Sequence, residues 1–196
     1  NDIFDNQHHP SVKEKEDSWG VYMITGFQGS GKTYFATYLL STMQNNYKIV
    51  TNIKSLKIPK KQIYYFDIIE QIVHNIDENM IFVIDEISKK YTKNSPQDKL
   101  FYSWLQQSRK RGRIVILITQ EWKEVPMWLR RPVRFMYNTR RLGYLPIYIT
   151  SIGDALNTTY NVETNEWECP IIQYVIYKRI KKVANMYDTF EPIDTL

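Results

Sequence analysis

Cysteine is almost missing from this chain. Cys169 is the only one in 196 residues, which excludes an internal disulfide and offers no sign of a metal cluster. Histidine is scarce, and the pair His8-His9 has no neighbouring ligand types, so it reads as surface. No apolar run approaches the roughly 20 residues that a bilayer-spanning helix needs. Asn1 to Ser18 is polar and lacks the hydrophobic centre of a signal peptide. The first residue is Asn rather than Met, as expected of a trimmed chain. No internal repeat is visible. Neither sign of charge dominates: 26 Lys and Arg against 21 Asp and Glu leave +5, with a pI near 9.1. That balance leans towards a polyanionic partner. The length suits one α/β domain with a sizeable core.

Glycine is sparse too, at seven residues, yet Gly26, Gly29 and Gly31 fall within one short stretch. Gly26-Phe27-Gln28-Gly29-Ser30-Gly31-Lys32-Thr33 fits G-x-x-x-x-G-K-[ST] at every fixed position. Such a loop folds tightly enough for its N–H groups to face phosphate oxygens. Lys32 would reach the β- and γ-phosphates, and the Thr33 hydroxyl could ligate Mg²⁺. A strand-like run, Val21 to Ile24, precedes the loop, and a helix-like run, Tyr34 to Leu40, follows it. Phosphates would then sit on a helix N-terminus. The expected nucleotide-binding set is Gly26, Phe27, Gln28, Gly29, Ser30, Gly31, Lys32, Thr33 and Tyr34, and the expected ligand is a nucleoside triphosphate with Mg²⁺ held by Thr33 and Asp85.

Residues 1–18 read as a flexible leader, 19–134 as an α/β core and 135–196 as a β-rich extension of the same domain. Strands are expected near 20–25, 48–51, 80–84 and 114–118, with a short apolar run at 63–66 and a helix over 32–44 that Asn45-Asn46 breaks. Asp67 could cap a helix running to about Asn75. Ser95-Pro96-Gln97-Asp98 looks like a helix start with Ser95 as cap. Leu100, Phe101, Trp104, Leu105 and Ser108 then share one face, and Gly112 stops the helix. The runs 80–84 and 114–118 are short, continuous and β-branched, which marks strands buried on both faces. Strands alternating with helices imply a mainly parallel sheet covered on both sides. Beyond Pro132, strand-like runs at 135–140, 144–150 and 171–177 are separated by Gly143, Gly153 and the polar stretch 157–168. A short helix is expected near 180–187.

Ile81 to Ile84 ends in Asp85-Glu86. A carboxylate there can hold Mg²⁺ through water, and a second can polarise the water that attacks the γ-phosphate. A small-molecule kinase would instead keep water out, so Glu86 favours hydrolysis. The strand 114–118 closes with Thr119-Gln120. Ligands gather at the carboxyl ends of α/β strands, which makes Gln120 a candidate sensor of the γ-phosphate. Arg109, Arg111 and Arg113 are candidates to complete a neighbouring subunit's site. Arg130, Arg131, Arg134, Arg140 and Arg141 are rivals for that role. Basic clusters at 54–61, 109–113, 130–134, 140–141 and 178–182 suit nucleic-acid phosphates. No zinc-finger signature or recognition helix is visible, so DNA binding is expected to be sequence-independent.

Taken together, the loop, the phrase Ile49-Val50-Thr51-Asn52-Ile53, the Val83-Ile84-Asp85-Glu86 end, and Ser108-Arg109-Lys110-Arg111-Gly112 leading to Ile118-Thr119-Gln120 resemble the Zot-like (zonula occludens toxin-like) ATPases. These belong to the FtsK/HerA superfamily of DNA-translocating motors. The resemblance covers roughly Val21 to Arg134. It implies a P-loop NTPase of the additional-strand catalytic-glutamate type, with ATP and Mg²⁺ between the protomers of a homo-oligomeric ring, commonly a hexamer, and double-stranded DNA in its channel. Viral genome packaging into a capsid is the leading expectation. Extrusion of a filamentous phage, with membrane assembly proteins as partners, is the alternative. The implied location is host cytoplasm or the virion. A nucleotide or small-molecule kinase, and an assembly protein that uses ATP only as a switch, are the readings from other classes.

Overall fold

A computed structural model of the chain describes residues 19–43, 47–74, 79–163 and 166–188. The leader and the Asn45-Asn46 break lie outside them. One eight-stranded sheet dominates, in the order β10-β7-β6-β1-β5-β4-β2-β3. Its parallel part joins β1 (Gly20–Thr25), β2 (Lys48–Thr51), β3 (Ile63–Tyr65), β4 (Met80–Ile84), β5 (Ile114–Ile118) and β6 (Val133–Arg141). β7 (Ile147–Asp154) pairs antiparallel with β6, and β10 (Ile171–Lys178) antiparallel with β7. A hairpin of β8 (Thr159–Asn161) and β9 (Glu166–Glu168) occupies the polar stretch that sequence reasoning left as a separator.

β4 and β5 are buried along their whole length, which explains why they read as unbroken apolar runs. Their alternation feeds two cores. Ile81, Val83, Ile114, Ile116 and Ile118 face α1 (Lys32–Thr42), with Phe35, Ala36 and Leu40. Phe82, Ile84, Val115 and Leu117 face α3 (Lys99–Gln106), with Phe101, Trp104 and Leu105. The parallel sheet under two helical layers is the fold that the sequence pattern predicted.

Local details depart from expectation. α3 is capped by Asp98, whose carboxylate accepts from the Phe101 N–H at 3.0 Å and from the Tyr91 hydroxyl at 2.6 Å. Ser95 cannot cap it, because its hydroxyl accepts from the Thr92 N–H. Leu100 is half exposed rather than part of the buried face. α2 (Glu70–Val73) is a single turn and Asp67 does not cap it; the Asp67 N–H instead donates to the Gln71 side chain. Gly153 lies inside β7 instead of ending a strand. Two further short helices, α4 (Met127–Arg130) and α5 (Lys181–Ala184), follow the sheet's central strands and its last one.

The core sheet does not stop at residue 134. β6 continues it in parallel beside β1, with Tyr22 opposite Phe135 and Ile24 opposite Tyr137. The strands after it therefore abut the loop that β1 carries.

Candidate functional site

The loop 26–31 leaves β1 at its carboxyl end and feeds α1. Gly31 precedes the helix with φ 93°, a left-handed backbone that glycine adopts without strain. The Gly26 N–H donates to the Gln120 carbonyl at 2.9 Å, so the ends of β1 and β5 are joined beneath the loop. Lys32 folds back over it: Nζ donates to the Gly26 and Phe27 carbonyls at 2.7 and 3.2 Å. Burial lowers the Lys32 pKa, while the charges of Asp85, Glu86 and Glu124 pull it back up.

Asp85 ends β4 almost fully buried. Its Oδ2 accepts from the Thr33 hydroxyl at 3.1 Å and its Oδ1 from the Glu86 N–H at 2.8 Å. Burial raises its pKa to about 6 against these bonds. The hydroxyl and carboxylate are hard oxygen donors placed together, a set that suits Mg²⁺. Asn52 clamps the Asp85 backbone at both ends: its amide donates to the Asp85 carbonyl at 3.0 Å and its carbonyl oxygen accepts from the Asp85 N–H at 2.8 Å. Sequence reasoning quoted Asn52 only as part of a phrase. Its position at the carboxyl end of β2, next to β4, is the signal that gives it a role.

Glu86 adopts φ 53°, ψ 42°, a region that costs a non-glycine residue about 1 kcal/mol or more. Its Oε2 lies 2.5 Å from the Lys89 ammonium. Gln120 is exposed and lines a cleft of about 510 Å³ with Ser88, Thr92, Lys93, Lys123 and Glu124. Glu124 was missed by sequence reasoning. It closes a capping box with Glu121 in the turn after β5, and this Glu-x-x-Glu spacing was readable.

On the opposite flank of β1 the loop rests on β6 and β7. The Ser30 and Thr139 hydroxyls lie 3.1 Å apart, and Thr139 also donates to the Thr25 carbonyl at 3.2 Å. The Tyr148 ring packs so closely on Gly31 that an added Cβ would stand 2.5 Å from it. Tyr34 is stacked on Tyr148 at 5.3 Å and on Tyr177 at 6.1 Å between ring centroids. Its hydroxyl accepts from the Ile180 N–H at 2.8 Å. The Tyr34 side chain therefore faces the extension, which leaves its backbone N–H as the group that could meet a phosphate. Phe27, Gln28 and Gly29 are exposed at the loop's crest.

The arginines separate. Arg109, Arg111 and Arg113 lie before β5, at the end of the sheet away from the loop, so none of them serves the loop of its own chain. Arg113 is 2% exposed, with its guanidinium 5.3 Å from the Trp104 ring centroid. That burial withdraws it from any neighbour's site, a correction to its candidacy; Arg109 is exposed and Arg111 partly so. Among the basic clusters, Lys54 pairs with Asp67 at 2.6 Å and Lys61 donates to the Met43 carbonyl at 2.6 Å. Lys178, Arg179, Lys181 and Lys182 are all exposed.

The family profile described as the sigma-54 interaction domain matches residues 15–126. No curated protein matches the chain by sequence. Among solved structures, the N-terminal domain of zonular occludens toxin from Neisseria meningitidis is similar at a TM-score of 0.61 and 21% identity, over 86% of this chain and 98% of that one. The RadB recombinase gives 0.53 and 14%, over 81% and 86%. The genome packaging NTPase B204 from Sulfolobus turreted icosahedral virus 2, in complex with sulfate, gives 0.51 and 12%, over 80% and 98%. At such identities the likeness is one of fold.

Proposed function

Because the chain belongs to the sigma-54 interaction domain family and has the fold of a Zot-like P-loop ATPase, we propose that it is an ATP-hydrolysing motor that moves double-stranded DNA, in the packaging of a viral genome. The observation that carries the hydrolytic part is the meeting of Thr33 with Asp85 at 3.1 Å, with Glu86 adjoining. Thr33 and Asp85 would hold Mg²⁺, which supplies positive charge to the phosphates as charge develops on them. Lys32 neutralises phosphate charge from the other side once it leaves the Gly26 and Phe27 carbonyls. Glu86 takes the proton of the attacking water, after its pairing with Lys89 loosens. Gln120, which lines the cleft, meets the γ-phosphate or that water.

The DNA part rests on the exposed cluster at 178–182 and on the net charge of +5. Phosphate contacts of that kind are indifferent to sequence and sensitive to salt. Arg109 and Arg111 lie too far from their own loop to serve it, which favours a ring, hexameric in this reading, where one protomer's arginine completes the next one's site. Extrusion of a filamentous phage would use the same chemistry with a membrane assembly as partner in place of a capsid.

The test is ATPase rate with and without double-stranded DNA, with oligomer mass measured alongside. Stimulation by any duplex, falling as salt rises, together with turnover that climbs steeply with protein concentration, is the expected result. Hydrolysis indifferent to DNA in a monomer would return the protein to the switch reading. Phosphate transfer to a small acceptor would make it a kinase.

A further inference from the structure

The polar end of the site lies on one side of β1. Asp85, Glu86 and Gln120 stand at the ends of β4 and β5, and sheet order puts β6 and β7 on the other side. A nucleotide whose terminal phosphate meets Thr33, Asp85 and Lys32 must direct its sugar and base away from them. Across β1 from them lie the ends of β6 and β7.

Those two strands reach beyond the loop. Thr139 of β6 touches Ser30, and Tyr148 of β7 touches Gly31. From Thr139 the strand continues to Arg141, two residues or about 7 Å further, before the chain turns. The turn is well braced. The Leu142 N–H donates to the Ile147 carbonyl at 2.9 Å, and the Leu145 N–H to the Leu142 carbonyl at 3.1 Å. Gly143 takes φ 54°. Arg141 spans the tip from within: Nη2 donates to the Tyr144 carbonyl at 3.1 Å and Nε to the Leu145 carbonyl at 3.3 Å.

On this braced tip Tyr144 is 99% exposed. A large ring that contributes nothing to the core, held on a braced turn that joins the two strands touching the phosphate loop, has both faces available for stacking. Aromatic stacking is how proteins hold a nucleobase without reading its edge. We propose that the β6–β7 hairpin tip is the base-side wall of the nucleotide site, with Tyr144 as the ring that stacks on the base and Arg141 as the positioning residue that holds the tip. The proposal rests on the nucleotide-binding reading of the loop. It adds the part of the ligand that no phosphate-loop residue contacts.

The experiment compares two probes, each with Mg²⁺: a non-hydrolysable ATP analogue and inorganic tripolyphosphate, which has the phosphates and no base. Tyr144→Ala should weaken the analogue about tenfold, the loss of one stacked base, and leave tripolyphosphate unchanged. Tyr144→Phe should bind both as wild type does. Arg141→Ala should fall between, about threefold on the analogue alone, because the ring survives on a loosened tip. Tyr144 is exposed, so its truncation leaves the fold intact. An unchanged analogue affinity in Tyr144→Ala overturns the proposal, as does an equal loss for both probes. A Tyr144→Ala variant that keeps the analogue but loses DNA binding or oligomer mass also overturns it and assigns the tip to DNA or to a second copy of the chain. Wild-type protein that binds tripolyphosphate as tightly as the analogue sinks only this proposal. Failure to bind either probe sinks the nucleotide reading together with it.

Discussion

On one flank of β1 the phosphate loop meets β5 and β4 through carboxylates, an amide clamp and a lysine. On the other it meets β6 and β7 through hydroxyls and stacked tyrosine rings. The first flank is charged and strained: Asp85 is buried, Glu86 sits in a left-handed conformation, and Lys32 is desolvated. The second is neutral and closely packed, with Thr139 fully buried and Tyr148 against Gly31. In the proposed mechanism, the groups that change protonation or partner during turnover are gathered where the structure is least relaxed. Groups that only hold the loop are placed where packing is tight. Preorganised sites are built this way, with supporting contacts kept apart from the reacting ones.

The sharpest test of this division is Glu86→Gln. If the charged flank carries the chemistry, hydrolysis should fall about 10²- to 10⁴-fold while nucleotide binding persists. Equal turnover in the two proteins would remove Glu86 from its role. Next comes pH. The Asp85 carboxyl, lifted from 3.8 to about 6 by burial, binds its proton more tightly folded than unfolded. Its penalty is absent below about pH 4 and grows as pH rises to 6, reaching about 3 kcal/mol. Denaturant melts in metal-free buffer should show this loss in the wild type. Asp85→Asn should be more stable at pH 7 and should lack that part of the slope, while losing Mg²⁺-dependent hydrolysis. A wild-type slope in the variant would mean that Asp85 is not the source.

For the packed flank, Gly31→Ala puts a methyl 2.5 Å from the Tyr148 ring on a backbone at φ 93°. Overpacking alone costs about 1–3 kcal/mol, and nucleotide affinity should fall with it. Adding Tyr148→Ala should recover part of the affinity, since the ring is one of two causes. No recovery would leave backbone strain as the whole effect. The smallest expected change is Thr139→Val, which keeps the shape and removes two hydroxyl contacts. It should weaken nucleotide binding by about 1 kcal/mol, roughly fivefold, with kcat nearly untouched, and Thr139→Ser should restore it. A fall in kcat with unchanged affinity would move Thr139 to the reacting side and blur the comparison.

How much of this could be read from the sequence also divides along β1. The loop, the Asp85-Glu86 end and the buried runs of β4 and β5 were legible because each depends on local spacing: a glycine pattern, a strand terminus, continuous β-branched residues. Asn52 was visible as a residue but not as a clamp, since its partner is supplied by strand register. Thr139 and Tyr148 belong to no motif. Their nearness to the loop follows from β6 choosing β1 as a parallel neighbour, and nothing local announces that choice. The Ser95 cap failed for a different reason. Both Ser95 and Asp98 are capping residue types, and Tyr91, Phe101 and Thr92 decided between them. Arg113 stands in a run of basic residues, but the helix before it brought Trp104 underneath.

The contacts of the packed flank also bear on when the site can come into being during synthesis. Ser30 is separated from Thr139 by 109 residues, and Tyr34 from Ile180 by 146. Contacts so distant along the chain close late in folding, since the entropy of the intervening loop is lost before they form. A nascent chain that has emerged as far as residue 120 carries the loop, both carboxylates and Gln120, with nothing yet beneath Gly31. Nucleotide affinity should therefore arrive abruptly once β7 and β10 have emerged and taken their places, and a chain halted short of them would expose a loop complete in composition and unfinished in shape.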